Sequence, residues 1–263
     1  MIGQSVNRHI MISEDIGGEL TIPFGARTIV LFSHGRGSDR SSPRNQLVAS
    51  MLNNKRIATF LVDLLGQHEK NMDIKTKQYR YDLEFLCRRF EVVSNWISQH
   101  HETTGLNIGY FGSSAGAAIA LICAERLGLA KAIVTRGGRV DLIDERILNQ
   151  IKAPTLFIVG SNDVPLIAPH KRALGLLRSA EAKELAIIPD ATHLFAESGK
   201  MEEVACIANN WFECYLLRSG KTFENRYSEK GINRFFSSIR RKYSFQIKFK
   251  DRSAAGELLA SIL

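Results

Sequence analysis

The chain has 263 residues, enough for one large domain or two small ones, and its 44% hydrophobic and 24% charged residues are typical of globular proteins. Its apolar runs are shorter than the roughly 20 residues of a membrane span, and its four cysteines have neither CxxC nor zinc-ligand spacing. We therefore expect a cytoplasmic protein without a membrane segment, a disulfide framework or a metal site.

The net charge of +8 is concentrated near the C-terminal end. Residues 218–263 hold 11 Lys and Arg against 4 Asp and Glu, whereas residues 1–217 hold 24 against 23. This change in composition predicts a boundary near residue 217. Basic and aromatic residues alternate over 218–248, a pattern that can bind nucleic acid. We favour a linker that packs its aromatic side chains on the body, and we do not expect nucleic-acid binding.

Six short apolar runs predict buried strands, and helical patterns lie between them. The strands are predicted at 28–33, 57–62, 107–111, 131–135, 154–160 and 184–188, and the helices at 44–54, 80–100, 115–127, 141–150, 166–180 and 200–217. This alternation predicts an α/β fold with a parallel sheet covered by helices on both faces. Functional sites on such sheets lie at the carboxyl ends of the strands.

The stretch NIGYFGSSAGAAIAL, at 107–121, joins a predicted strand to a predicted helix through two adjacent serines. The pattern G-x-S-x-G centres on Ser114, because Gly112 and Gly116 lie two residues before and after it. The same pattern centred on Ser113 would place a phenylalanine where the backbone packs closely. Ser114 is therefore the candidate nucleophile, and the alternative is a turn in which serine only caps the helix.

A serine nucleophile needs a base, and His193 follows the last predicted strand in the turn IPDATHLF. A third residue should orient the imidazole and stabilise its cation. Asp163 follows the strand at 154–160 and precedes the histidine in sequence, so we assign this role to it. Asp190 is the rival for that role, and Asp163 could instead cap the helix that follows.

An acyl-transfer site also needs backbone N–H donors for the oxyanion. We expect one from Ala115, directly after the nucleophile, and one from Arg36 in the loop SHGRGS. This loop has no GxGxxG or GK[ST] pattern, which gives little support to a phosphate cradle. Arg36 and Arg136 are candidates for binding an anionic substrate group. For Arg36 a shielding or solvated side chain stays open. Arg136 and Arg139 could both recognise a carboxylate, but we favour a structural salt bridge for them.

The motifs HGRGS, GSSAG, GSNDVP and ATHLF, in this order, resemble the α/β-hydrolase superfamily, in detail its dienelactone-hydrolase-like branch. The segments SSPRNQ, VDLLG, RYDLEFL and TRGGRVDL are similar to a bacterial group often encoded as a fusion with a phosphoribosyltransferase. The resemblance covers about residues 10–217 and implies an α/β-hydrolase fold. Residues 249–263 are similar to the opening of type I phosphoribosyltransferase domains. The acidic motif of that family is missing, so transferase activity is not predicted.

Two features depart from the family that the chain resembles. Dienelactone hydrolases use a cysteine nucleophile, whereas this chain has Ser114, and Arg36 stands where a small residue is expected. The family's substrate therefore does not carry over, and the chemistry implies an ester, a thioester or a lactone. The connection after the strand at 131–135 is short, which predicts no large lid and an open site for small or solvent-exposed acyl groups.

These inferences divide the chain into an α/β-hydrolase domain at 1–217, a basic linker at 218–248 and the truncated start of a transferase domain at 249–263. The leading hypothesis is a serine hydrolase that acts on a small-molecule acyl substrate without an organic cofactor or a metal. The alternative is a non-catalytic interaction module whose basic tail supports homo-oligomerisation or polyanion binding. Fold alone does not decide between them.

Overall fold

The computed structural model of the protein describes residues 5–34, 40–217 and 246–247, the last two as backbone only. Its strands are β1 (Val6–Met11), β2 (Gly17–Ile22), β3 (Thr28–Ser33), β4 (Ala58–Asp63), β5 (Asn107–Ser113), β6 (Ala130–Arg136), β7 (Thr155–Gly160), β8 (Lys183–Ile188) and β9 (Gln246–Ile247). Its helices are α1 (Pro43–Asn54), α2 (Gln67–Thr76), α3 (Gln78–Tyr81), α4 (Leu83–Gln99), α5 (Ala115–Leu127), α6 (Glu145–Gln150), α7 (Val164–Leu176) and α8 (Lys200–Leu216).

The strands form one sheet in the order β1-β2-β4-β3-β5-β6-β7-β8-β9. Strands β3 to β8 are parallel to their neighbours in this group, whereas β1, β2 and β9 pair antiparallel at the two edges. The predicted α/β class and mostly parallel sheet are therefore confirmed, and the six predicted strands are β3 to β8. The carboxyl ends of all six strands lie along the same side of the sheet, and the candidate residues follow them there. Below, this side is called the site edge of the sheet.

Two apolar layers hold the sheet between helices. On one face, side chains of β3 to β8 pack against α4, α5, α6 and α7, and on the other face they pack against α1 and α8. The six central strands are buried almost throughout, because apolar side chains point into a layer on both faces. Packing on both faces therefore fixes the position and direction of each strand end that is followed by a site residue.

The antiparallel pair β1 and β2 and the helix α2 were not among the predicted elements. Strand β1 is mostly exposed and polar, so it lacks the apolar run that marks the central strands. Strand β2 begins with two glycines, and a Cβ on Gly18 would lie 2.5 Å from the carbonyl oxygen of Leu61. The glycine pair that resembles a turn in sequence therefore permits close packing of β2 on β4.

The predicted helix at 80–100 is divided at Asp82, whose side chain accepts a hydrogen bond from the N–H of Phe85 (2.9 Å) and caps α4. Between β6 and β7 the chain forms a 3-10 turn (Val140–Leu142) and the six-residue α6, so this connection holds no lid-sized insertion, as expected. Strand β9 lies within the stretch predicted as a linker and pairs with β8. The rest of that linker, the segment 249–263 and the loop 35–39 with Arg36 lie outside the described residues.

No helix in the described part of the chain is both long and apolar enough to cross a membrane.

Candidate active site

The turn between β5 and α5 holds Ser114 in an unusual backbone conformation, with φ +52° and ψ −123°. A Cβ on Gly112 would lie 2.5 Å from the Cα of Ala117, and one on Gly116 would lie 2.2 Å from the carbonyl oxygen of Ser33. Neither contact is compatible with a side chain. Glycine is therefore required for steric reasons on both sides of Ser114, and the turn has the geometry of a nucleophile elbow.

Ser114 lies at the N-cap of α5, but its side chain makes no capping hydrogen bond. Its backbone is fixed instead, because its N–H donates to the carbonyl of Arg136 (3.2 Å) and its carbonyl accepts from the N–H of Arg139 (3.0 Å). Ala115 is the first residue of α5, so its N–H has no acceptor within the helix. This N–H is therefore available as an oxyanion donor, whereas the second expected donor, Arg36, lies outside the described residues.

The imidazole of His193 and the carboxylate of Asp163 form a close pair, with 2.7 Å between Nδ1 and Oδ2. The Asp163 side chain is 12% exposed and that of His193 is 40% exposed, so the acid is sheltered while the ring reaches solvent. Asp163 stands at the N-cap of α7 without a capping bond from its side chain, which is used for the imidazole. With Nδ1 engaged, Nε2 is the ring nitrogen left to exchange a proton with a substrate or nucleophile.

The loops after β7 and β8 bring this pair together. The N–H of Ser161 donates to the carbonyl of Ile188 (2.8 Å), and the N–H of Asn162 donates to the carbonyl of Ala191 (2.9 Å). The rival acid, Asp190, has φ +59° in the turn, where its own N–H donates to Ser161 Oγ (2.8 Å). Asp190 thus shapes the turn, and Asp163 reaches the histidine.

One short segment, from Arg136 to Arg139, contacts both Ser114 and His193. It makes the two backbone hydrogen bonds with Ser114 given above, and its Gly137 lies against the imidazole. A Cβ on Gly137, whose φ is +53°, would lie 3.2 Å from Cε1 of His193. The serine and the histidine–aspartate pair therefore lie at the same end of the parallel strands, where both contact this segment.

A buried carboxylate, Asp63 at the end of β4, also lies at the carboxyl ends of the strands, and its position directly after a predicted strand was its only signal in the sequence. Its side chain is 6% exposed and accepts from the backbone N–H and the Nη1 of Arg40 (3.1 and 2.5 Å), while Lys70 Nζ lies 3.0 Å away and His34 Nε2 3.6 Å away. Burial alone would raise the pKa of Asp63, but the hydrogen bonds from Arg40 and the positive charge of Lys70 hold that pKa well below its usual range. Asp63 thus joins the residue that precedes the loop 35–39 to the residue that follows it.

Arg136, the last residue of β6, and Arg139 differ from each other, because among the described residues only Arg139 forms the structural salt bridge that we expected of both. Arg139 forms the expected structural ion pair, a two-pronged contact with Asp141 (2.7 and 2.6 Å). Arg136 is 7% exposed, and in the described part of the chain no carboxylate lies within ion-pair distance of it. Its guanidinium carbon lies 5.9 Å from the centre of the Phe195 ring.

Other histidines have surroundings that separate them from the site. His170 is buried, its Nδ1 lies 2.7 Å from the carbonyl of Leu166, and burial lowers its pKa. Ligand atoms of His100, His101 and Glu102 lie within 4.8 Å of one another and could hold a metal ion. That group lies between the C-terminal end of α4 and the start of β5, whereas Ser114 follows the last residue of β5. The group is therefore at the opposite end of this strand from Ser114.

Comparison with known proteins identifies relatives of this chain. The model of the dienelactone hydrolase family matches residues 54–216. A dienelactone hydrolase from Anabaena variabilis is 42% identical, with a TM-score of 0.76 over 82% of this chain and 100% of that protein. The esterase Pf2001 from Pyrococcus furiosus (15% identical, TM-score 0.66, 81% of this chain and 93% of the esterase) and Est1E from Butyrivibrio proteoclasticus (14%, 0.62, 78% and 97%) share the fold.

The curated relatives are longer than this chain. Proteins from two strains of Mycobacterium tuberculosis, each named as a proposed phosphoribosyl transferase, are 39% identical over 207 residues, which is 78% of this chain. The chain spans less than half of their length, 45%. Their name agrees with the resemblance to a hydrolase group that is fused to a transferase.

Proposed function

Because the chain belongs to the dienelactone hydrolase family, we propose that it is a serine hydrolase that cleaves an ester, thioester or lactone through an acyl-enzyme intermediate. The observation that carries the proposal is the 2.7 Å contact between His193 Nδ1 and Asp163 Oδ2, on the same sheet edge as the strained Ser114. A binding module would have no need of this arrangement. The alternative, a non-catalytic interaction module, depends on the basic tail. That tail lies almost entirely outside the described residues, so no observation favours this alternative.

The reaction begins when Ser114 Oγ attacks the carbonyl carbon of the substrate and its proton passes to Nε2 of His193. The negative charge of Asp163 stabilises the imidazolium that forms. The N–H of Ala115 donates to the developing oxyanion, and the N–H of Arg36 is the second donor we propose. The tetrahedral intermediate collapses, the leaving group takes the proton from His193, and the acyl group stays on Ser114.

Hydrolysis completes the cycle. His193 removes a proton from water, which attacks the acyl carbon, and the second tetrahedral intermediate returns Ser114 with the proton from His193. The products are a carboxylic acid and an alcohol or thiol, or a hydroxy acid when the substrate is a lactone. The short β6–β7 connection supports an open site, so we propose small acyl groups as substrates.

Covalent labelling with a fluorophosphonate probe tests the nucleophile. We expect labelling of the wild type and of Ser113→Ala, and none of Ser114→Ala. Ser113 is a matched control because it is the adjacent serine, is 3% exposed and ends β5. Undiminished labelling of folded Ser114→Ala, or no labelling of the folded wild type, would contradict the proposal.

The acyl preference is tested with p-nitrophenyl esters of increasing chain length. We expect kcat/KM to be highest for acetate and butyrate and to fall for chains of ten or more carbons. A rise with chain length would contradict an open site for small acyl groups, and would leave the labelling result on Ser114 unaffected.

A further inference from the structure

Three consecutive side chains with metal-ligating atoms meet in the turn that follows α4. One ligand atom from each of His100, His101 and Glu102 lies within 4.8 Å of those of the other two. No other group of three histidine, cysteine or acidic side chains in the described part of the chain meets this criterion. The common zinc motifs have separated ligands, so three adjacent residues give no such signal in the sequence.

The backbone of this turn is held in place by hydrogen bonds. The N–H groups of Thr103 and Thr104 both donate to the carbonyl of His100 (2.9 and 2.7 Å). The hydroxyl of Thr103, a residue that is 1% exposed, donates to the carbonyl of Ile97 in α4 (2.6 Å). The three side chains therefore extend from ordered backbone, which reduces the entropy lost when they converge on one ion.

The ring of His100 is oriented by aromatic packing. It stacks on Trp96, with 4.1 Å between ring centres and 24° between ring planes, and Trp96 in turn stacks on the buried Phe60. The N–H of Glu102 donates to Nδ1 of His100 (3.4 Å), so the ring is turned toward the residue that carries the carboxylate. The ring of His101 lies 4.3 Å from that of His100. His100 is thus a fixed ligand, whereas the exposed His101 is able to adjust.

The carboxylate of Glu102 is held beside these rings by a cation from β1. Nη2 of Arg8 lies 2.5 Å from Oε1 of Glu102, whose side chain is 21% exposed. A carboxylate has a second oxygen that can bind an ion while the first keeps this contact. The turn therefore presents two imidazoles and one negative charge to the same space.

This set of donor atoms selects a class of ion. Imidazole nitrogen suits Zn²⁺, Co²⁺, Ni²⁺ and Cu²⁺, whereas Mg²⁺ and Ca²⁺ prefer oxygen ligands alone. A tetrahedral ion with bonds of about 2.1 Å places its ligand atoms about 3.4 Å apart. Ligand atoms that lie within 4.8 Å of one another need to approach by little more than about 1 Å, which rotation of the His101 side chain can supply.

We propose that His100, His101 and Glu102 bind a divalent transition-metal ion of the zinc class, with water at its remaining position. The site lies at the opposite end of β5 from Ser114, so the ion takes no part in acyl transfer. It instead joins the end of α4 to the turn before β5. An ion that binds only the folded protein also raises its stability.

Trp96 is a built-in reporter of this site, because its ring is stacked on His100. The test titrates the 263-residue chain, without an affinity tag, with Ni²⁺ and follows tryptophan fluorescence. A paramagnetic ion at this distance quenches indole emission, so we expect saturable quenching that excess Zn²⁺ reverses. Trp96→Phe keeps one tryptophan, Trp211, in the apolar layer on the other face of the sheet, and should lose most of the quenching.

Two substitutions at exposed histidines separate this site from unspecific binding. His101→Gln should weaken Ni²⁺ binding at least about tenfold, the smallest effect usual for a residue that merely supports a ligand. His68→Gln removes an exposed histidine from α2 and should keep the wild-type affinity. Zn²⁺ should likewise raise the thermal unfolding midpoint of the wild type and of His68→Gln, but not that of His101→Gln.

Either measurement is able to overturn the site. Quenching that does not saturate in the wild type, or equal Ni²⁺ affinities of wild type and His101→Gln, would show that the three side chains do not act together. A Zn²⁺ shift of the same size in both proteins would do the same. Neither measurement depends on ester hydrolysis, so the metal site stands or fails separately from the proposed function.

Discussion

Replacing Ser114 by alanine and by glycine separates the strain of the turn from the chemistry of its side chain. Both variants lack the hydroxyl, so neither should react with a fluorophosphonate. They differ in the backbone, because φ +52° with ψ −123° is a conformation that glycine adopts readily and residues with a Cβ do not. We therefore expect the glycine variant to be the more stable of the two.

The magnitude follows from two opposing contributions. A residue with a Cβ in such a conformation costs about 1–3 kcal/mol. Glycine removes that cost but loses about 0.5–1 kcal/mol through the larger entropy of its unfolded chain. Ser114→Gly should accordingly exceed Ser114→Ala by about 1 kcal/mol in the free energy of unfolding, and Ser114→Ala should lie close to the wild type.

A control position without strain should show the opposite sign. Asn95 is exposed in the middle of α4, where alanine should be more stable than glycine by about 1 kcal/mol. Urea denaturation followed by circular dichroism and by the fluorescence of the buried Trp211 measures all four variants. If alanine is the more stable residue at Ser114 by the same amount as at Asn95, the turn is not strained and the reasoning fails.

Three further predictions concern the acid, the packing of the elbow and the buried carboxylate. Asp163→Asn should lower kcat about 10³- to 10⁴-fold with little change in KM, whereas Asp190→Asn should stay within about threefold of the wild type; equal losses in both would contradict the assignment. Gly116→Ala places a Cβ 2.2 Å from the backbone of β3 and should destabilise the protein by about 3 kcal/mol in urea unfolding. In the control Gly175→Ala the new Cβ has no atom within 4 Å, so this variant should be more stable than the wild type by about 1 kcal/mol. Asp63→Asn should lower the free energy of unfolding by about 2 kcal/mol at pH 7. The pKa of Asp63 is lower in the folded protein than in the unfolded chain, so the wild type should keep its full advantage in free energy of unfolding above the unfolded pKa of about 3.9. This advantage should shrink as the pH falls below that value. An advantage that does not change with pH would contradict an ionised Asp63.

The parallel part of the fold was predictable because its evidence is local. Each of the six central strands is a short apolar run, and a strand buried on both faces needs no alternation that could be misjudged. The edge pair β1 and β2 gave no such signal, since one strand is exposed and the other begins with Gly17 and Gly18. Their place depends on what lies beside them, in particular the close approach of Leu61, which a pattern along one strand cannot report.

The order of site residues could also be inferred, since parallel strands bring their carboxyl ends to one edge. The position of Asp163 after its strand also favoured it over Asp190, but the pattern could not supply the contacts that hold one of these acids against the histidine. Asp163 and Asp190 both follow strands, and only the hydrogen bonds of Ser161 and Asn162 to the loop after β8 decide which one faces His193. Those bonds join residues about 30 positions apart, so they depend on the register of β7 and β8.

The charged residues at this edge were the hardest to interpret from sequence, because the role of a cation is set by its neighbours across the sheet. Arg136 and Arg139 are three residues apart in the same segment and have the same chemistry, yet Arg139 has its partner two positions along the chain, whereas Arg136 is buried over the ring of Phe195. A salt bridge within one turn costs little and leaves nothing for a ligand. A buried guanidinium without such a partner costs free energy, and its surroundings come from elements that a pattern along one segment cannot report.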